Sequence, residues 1–204
     1  MVRLLLVRHG KTEWNEAGRY QGRSDIGLSA TGVLEAEALA QRLAGERIDA
    51  AYCSDLKRAA GTARAILTGR DIEAVACEEL REIDFGDLEG LTFDQIRQRD
   101  PQTDWWTARD ADMELPGGES IRQLSDRVSR FLARLGGQDE AQTVLVVAHG
   151  GTLRALMCLL LDLALEHLWQ IGLDSASLSM VDMYSDRMVL SLLNDTCHLK
   201  GLKT

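Results

Sequence analysis

Two histidines end two apolar runs: His9 closes "LLLVRHG" and His149 closes "VLVVAHG". Imidazole is a nucleophile and a proton carrier near neutral pH. In a parallel α/β sheet, ligands bind beyond the carboxyl ends of the strands. If the two runs are neighbouring strands, both histidines face one cleft. The glycine after each, Gly10 and Gly150, lets the backbone turn sharply and a ligand approach. One strand-end histidine by itself reads as a satisfied polar residue. Two in matched settings, with Arg8 beside His9, read as an anion site, because a guanidinium stays charged and binds phosphate oxygens in pairs. Arg58, in "CSDLKRAAGTA", falls one turn into a helix that follows a second strand, where free N–H groups and the helix dipole favour an anion. The competing reading of Lys57 and Arg58 is a solvated helix face.

Histidine and phosphate allow two chemistries. In the first, an imidazole nitrogen attacks phosphorus, arginines neutralise the oxygens and a carboxylic acid protonates the leaving alkoxide. In the second, histidines and carboxylates hold a metal. The second expects HExxH-like spacing or clustered Asp and His, which the chain lacks, and Arg8 would repel the cation. The acid comes from "REIDFGDLEG", which offers Glu82, Asp84, Asp87 and Glu89. Composition does not choose among them.

The elements that must position these residues alternate. Val2 to Val7 reads as a strand buried on both faces, and Arg8 to Gly27 as a loop with at most a short helical turn. Ser29 caps a helix ending at Gly45. Strands follow at Asp49 to Cys53 and Ile72 to Ala76, with a helix between them capped by Ser54 and running to about Leu67. Residues 80–91 read as an irregular loop, Thr92 to Arg99 as a helix stopped by Pro101, and Ser120 starts a long helix. Ile121, Leu124, Val128, Phe131, Leu132 and Leu135 mark its apolar face. A strand at Thr143 to Ala148, a helix at Thr152 to Leu161, and a hairpin of Leu178 to Met183 with Val189 to Leu193 complete the chain. The expected fold is a three-layer α/β/α sandwich with a mainly parallel, mixed-edge sheet. It forms a single domain, 1–204, with a small lid or insertion at about 92–118.

Composition excludes several functions. The 204 residues carry a net charge of −9, which disfavours nucleic acid as a partner but leaves room for a local cationic cleft. No run reaches the about 18 apolar residues that span a bilayer, so no membrane partner is expected. No signal-peptide pattern opens the chain, and the expected location is cytoplasmic. Cys53, Cys77, Cys158 and Cys197 match no zinc spacing and read as reduced, mostly buried residues. A monomer and a homodimer fit equally well.

"LLLVRHGKTEWN", "GRYQG", "LSATG", "SDLKRAAGTA", "LREIDFGDLEG", "PGGES" and "VLVVAHGG", in this order, resemble the histidine phosphatase superfamily, the phosphoglycerate-mutase-like group with its RHG signature. The resemblance covers nearly the whole chain and implies the fold expected above. It also implies that His9 is the nucleophile that becomes phosphorylated. Arg8 and Arg58 bind phosphate, His149 hydrogen-bonds the transferring group, and Glu82 protonates the leaving group and then activates water. Asn15, Gln21, Gly22 and the N–H of Gly150 take secondary contacts to phosphate or substrate. It implies no metal and no other cofactor. The partner it implies is a small phosphorylated metabolite.

Cofactor-dependent mutases of this group carry a longer, tyrosine-rich insertion with paired arginines. Residues 92–118 are short, and Arg97, Arg99 and Arg109 are offset by Asp100, Asp104, Asp110, Asp112 and Glu114. A phosphatase is therefore expected. Length, the "ELPGGES" turn and the "EHLWQIGLDSASLSMVDMYSD" tail resemble the α-ribazole phosphatases of cobalamin biosynthesis, with broad-specificity phosphatases close behind. Mutase-like or fructose-2,6-bisphosphatase-like enzymes and an inactive phosphate-binding module are the alternatives. Trp105 and Trp106 are expected to pack the lid onto the core rather than stack on substrate.

Overall fold

An apolar run without polar alternation belongs in the middle of a sheet covered on both sides. Val2–Arg8 (β1) takes that position. The computed structural model describes residues 1–100, 110–135 and 142–202. Glu13–Glu16 (α1) and Ala30–Arg42 (α2) follow, then Ala50–Ser54 (β2), Lys57–Leu67 (α3) and Val75–Cys77 (β3). Phe93–Arg99 (α4), Ile121–Leu135 (α5), Gln142–Ala148 (β4) and Gly150–Leu160 (α6) come next, and Leu178–Met183 (β5) and Met188–Asp195 (β6) close the sheet.

The strand order is β3-β2-β4-β1-β5-β6. β1 is parallel to β4, and β2 is parallel to both β4 and β3. β5 runs antiparallel to β1, and β6 antiparallel to β5, which makes one edge mixed. Side chains of β1 alternate between the layers. Leu4 and Leu6 join Leu124, Val128 and Phe131 of α5 and Leu153 and Leu156 of α6. Leu5 and Val7 join Leu39 of α2 and Ala59, Ala63 and Ile66 of α3. Each such leucine, fully buried, contributes about 1.5–3 kcal/mol. Both helical layers therefore hold β1 in place, and its end is a fixed point.

Several expected boundaries shift. β3 is Val75–Cys77, not Ile72 to Ala76, because the ladder with β2 pairs Val75, Ala76 and Cys77 with Tyr52, Cys53 and Ser54 and does not extend back to Ile72. Ser54 does not cap α3. It ends β2, its Oγ accepts from Leu56 N at 3.3 Å, and the helix begins at Lys57. The sixth helix begins at Gly150 rather than Thr152, with His149 at its N-cap. A 3-10 turn at Leu165–Gln170 had no signal in the sequence. Cys53, Cys77 and Cys158 are buried and Cys197 is exposed; all four are free.

The acidic loop is anchored from below. Gly86 has φ +52°, and a Cβ there would collide with Pro116 O, so the loop lies directly on the Pro116-Gly117-Gly118 turn. Asp87 N donates to Pro116 O at 2.9 Å, and Glu119 N to Asp84 O at 2.9 Å. Within the proposed lid, Ile96 and Leu115 join the core layer under α5 and α6. Residues 101–109, which include Trp105 and Trp106, lie outside the described residues. No helix among the described residues is long and apolar enough to cross a membrane.

Candidate active site

Arg8 pairs with Ala148 in the β1–β4 ladder, so the two His-Gly turns leave the sheet side by side. His9 N continues the ladder, donating to Ala148 O at 3.0 Å. The imidazole centroids are 5.0 Å apart, at 62°. The tautomers follow from the partners. His9 Nδ1 lies 2.7 Å from Gly10 O, which only accepts, so Nδ1 carries the hydrogen and Nε2 keeps a lone pair. Arg58 Nε donates to His149 Nδ1 at 3.1 Å, so His149 carries its hydrogen on Nε2. That Nε2–H is a buried donor with no acceptor among the described residues. One ring offers a nucleophile and the other a hydrogen-bond donor.

Arg58 is fully buried, and its other nitrogens hold Ser24 O at 2.8 Å and Gly22 O at 2.6 Å. Arg8 Nη1 donates to Leu173 O at 2.6 Å, while its buried Nε has no partner among the described residues. Arg154, not anticipated from the sequence, joins them. A Cβ built on Gly150 would lie 2.9 Å from Arg154 Nη1 and 3.5 Å from Arg8 Nε, so both guanidinium groups converge on that glycine. Burial lowers the pKa of all three arginines, that of Arg58 to about 10. Among the described residues none has a carboxylate within ion-pair distance. Desolvated cations without counter-ions are costly, and a dianion relieves that cost.

Glu82 closes the other side. Its Oε1 accepts from Ile83 N at 2.9 Å and Thr152 N at 3.1 Å, and its Oε2 from Gly151 N at 3.1 Å. The first turn of α6 therefore holds the carboxylate, as a helix N-terminus holds any anion. Arg127 fixes the backbone beneath it, with Nη1 to Glu79 O at 2.8 Å and Arg81 O at 2.7 Å, and Nη2 to Glu82 O at 3.2 Å. Glu119 pairs with Arg127 at 2.8 Å and accepts from Asp84 N at 3.2 Å. The other loop acids have different tasks. Asp84 Oδ1 takes Gly86 N at 3.0 Å, Asp87 is exposed, and Glu89 takes Arg23 N at 2.7 Å and Ser24 N at 2.8 Å.

A sequence profile described as the histidine phosphatase superfamily, branch 1, matches residues 4–196. The chain belongs to that superfamily. This histidine phosphatase is 39% identical over 201 residues to phosphoserine phosphatase 1 of Hydrogenobacter thermophilus, covering 98% of this chain and 95% of the relative. It is 34% identical over 194 residues to the adenosylcobalamin/alpha-ribazole phosphatase of Escherichia coli, covering 95% and 96%. Its fold superposes on the solved structure of Bacillus stearothermophilus YhfR with a TM-score of 0.90 at 33% identity, over 98% of this chain and all of the other.

Of the secondary positions in this histidine phosphatase, Gly22 is tied directly to the centre, through Arg58. Asn15 Oδ1 accepts from Thr12 N at 3.1 Å, so its side chain is engaged in capping α1. Gln21 Oε1 accepts from Thr12 Oγ1 at 2.6 Å, and its buried Nε2 has no partner among the described residues. Gly22 supports Arg58 through its carbonyl. Among the described residues, the one grouping of three His, Cys, Asp or Glu with metal-ligand proximity is Asp195, Cys197 and His198, which includes none of His9, His149 and Glu82.

Burial, reinforced by Arg58 and then Arg8, holds the His9 pKa well below the ordinary imidazole value; burial, Arg58 and then His9 do the same for His149. Both are neutral at neutral pH. In the unfolded chain each takes a proton as pH falls through about 6.5, so the unfolded state binds more protons there and stability drops. The urea unfolding free energy should fall between pH 7.5 and 5.5, by up to about 1.4 kcal/mol per pH unit for each histidine. His149→Gln should remove one histidine's share of that slope. An unchanged slope would show that His149 is not buried in the neutral form.

Proposed function

We propose that this protein hydrolyses small phosphomonoesters through a phosphohistidine on His9. The complementary tautomers of the two histidines carry the reading: a lone pair on His9 Nε2 faces a site where His149 Nε2–H and Arg8 Nε are donors without acceptors among the described residues. Those donors, with Arg58, would take the non-bridging oxygens of the phosphoryl group and stabilise its charge in transit. Attack by His9 Nε2 forms a P–N bond and breaks the ester P–O bond, and Glu82 gives its proton to the departing oxygen. Water then attacks phosphorus, Glu82 takes a proton from it, and the P–N bond breaks to release phosphate and free His9. Gly10 O, on the far nitrogen, keeps the ring in the attacking orientation throughout.

No step needs a metal or other cofactor. The names of its relatives suggest phosphoserine and α-ribazole 5′-phosphate as candidate substrates. Rapid quenching with a labelled phosphomonoester should leave acid-labile, base-stable phosphate on the peptide containing His9, and EDTA should not slow turnover. A strict requirement for a divalent cation would replace this mechanism with metal-assisted hydrolysis.

A further inference from the structure

The phosphoryl chemistry proposed above occupies Arg8, Arg58 and His149 and leaves Arg154 without a task. Arg154 lies one turn along α6 from Gly150. Its Nε donates to Ile171 O at 2.6 Å, and its guanidinium lies over the Trp169 ring, 5.5 Å from the centroid. These two contacts fix the group, while neither Nη has a hydrogen-bond acceptor among the described residues. Nη1 converges with Arg8 on Gly150, so it borders the phosphate position. Burial and then the neighbouring Arg8 lower its pKa, as expected for a cation held where an anion is due.

Charge says what kind of anion. The general-acid step proposed above delivers a proton from Glu82, and in that protonated form Glu82 adds no charge to the count. The three arginines supply three positive charges, and a phosphomonoester dianion offsets two of them. One is left over, and a guanidinium fork matches a carboxylate in both charge and shape. A second phosphate would overfill the site.

We propose that Arg154 binds a carboxylate on the leaving group, and that the substrate is a phosphomonoester of a hydroxy or amino acid. The proposal rests on the phosphatase reading above. The test compares matched pairs that differ by the carboxylate: phosphoserine with O-phosphoethanolamine, and 3-phosphoglycerate with glycerol 3-phosphate. The protein should prefer the carboxylated member of each pair by about tenfold or more in kcat/KM, mostly through KM. Arg154→Gln should collapse that ratio towards one, and Arg154→Lys should restore part of it. A general structural loss would cancel in the ratio, so the ratio isolates carboxylate binding. Equal turnover within each pair, an unchanged ratio in Arg154→Gln, or faster turnover of α-ribazole 5′-phosphate than of phosphoserine would overturn the proposal while leaving the phosphatase reading intact. No hydrolysis of any phosphomonoester, p-nitrophenyl phosphate included, would overturn the phosphatase reading and the proposal with it.

Discussion

His9→Ala should lower kcat by about four to six orders of magnitude on every phosphomonoester, because it removes the atom that bonds to phosphorus. Arg8, Arg58 and His149 remain, so orthophosphate should still protect the variant against thermal unfolding. Binding that persists while turnover vanishes would separate the attacking group from the groups that only hold the anion. The measurement is steady-state hydrolysis alongside a thermal shift with phosphate. Residual activity within a hundredfold of the parent would mean that another group, or water directly, attacks phosphorus.

Glu82→Gln should cost about 10²–10⁴ in kcat on alkyl phosphates, whose leaving oxygen needs a proton. On p-nitrophenyl phosphate the loss should be far smaller, because p-nitrophenolate departs without one. The substitution keeps the shape of the side chain, but it sets an amide N–H₂ against the N–H groups that Glu82 now accepts from Gly151 and Thr152. Some loss of stability is therefore expected as well, and the leaving-group comparison is what isolates proton donation. Losses of the same size on both substrates would remove Glu82 from the role of general acid.

The sheet and its two histidines were legible because they depend on local pattern. Apolar runs without alternation marked β1 and β4, and ligand chemistry at strand ends put His9 and His149 together. From residue type and spacing Arg58 was one of two alternatives, and only the family resemblance chose between them. Nothing in "KRAAGTA" says that the Ser24 and Gly22 carbonyls will receive its guanidinium. Glu82 could not be told from Asp84, Asp87 and Glu89 by composition. What separates them is the N-terminus of α6, about seventy residues further along the chain. That same helix start was misplaced, since glycine has poor helix propensity. Gly150 and Gly151 nevertheless form its first turn, where the Gly151 N–H faces the Glu82 carboxylate. Arg127 and Arg154 fell within expected helices and carried no further signal, because their partners are carbonyls and a ring contributed by distant segments.

The opening of α6 acts as a common datum for the reaction centre. His149 caps it, Gly150 lies beneath two arginines, Gly151 and Thr152 hold Glu82, and Arg154 follows one turn on. Donor, acid and cation are thus all measured from one short length of helix. Errors in their mutual spacing do not accumulate through the loops that carry the rest of the cleft. Those loops can change length and sequence, and so change which alcohol departs, while the geometry around phosphorus stays as it is.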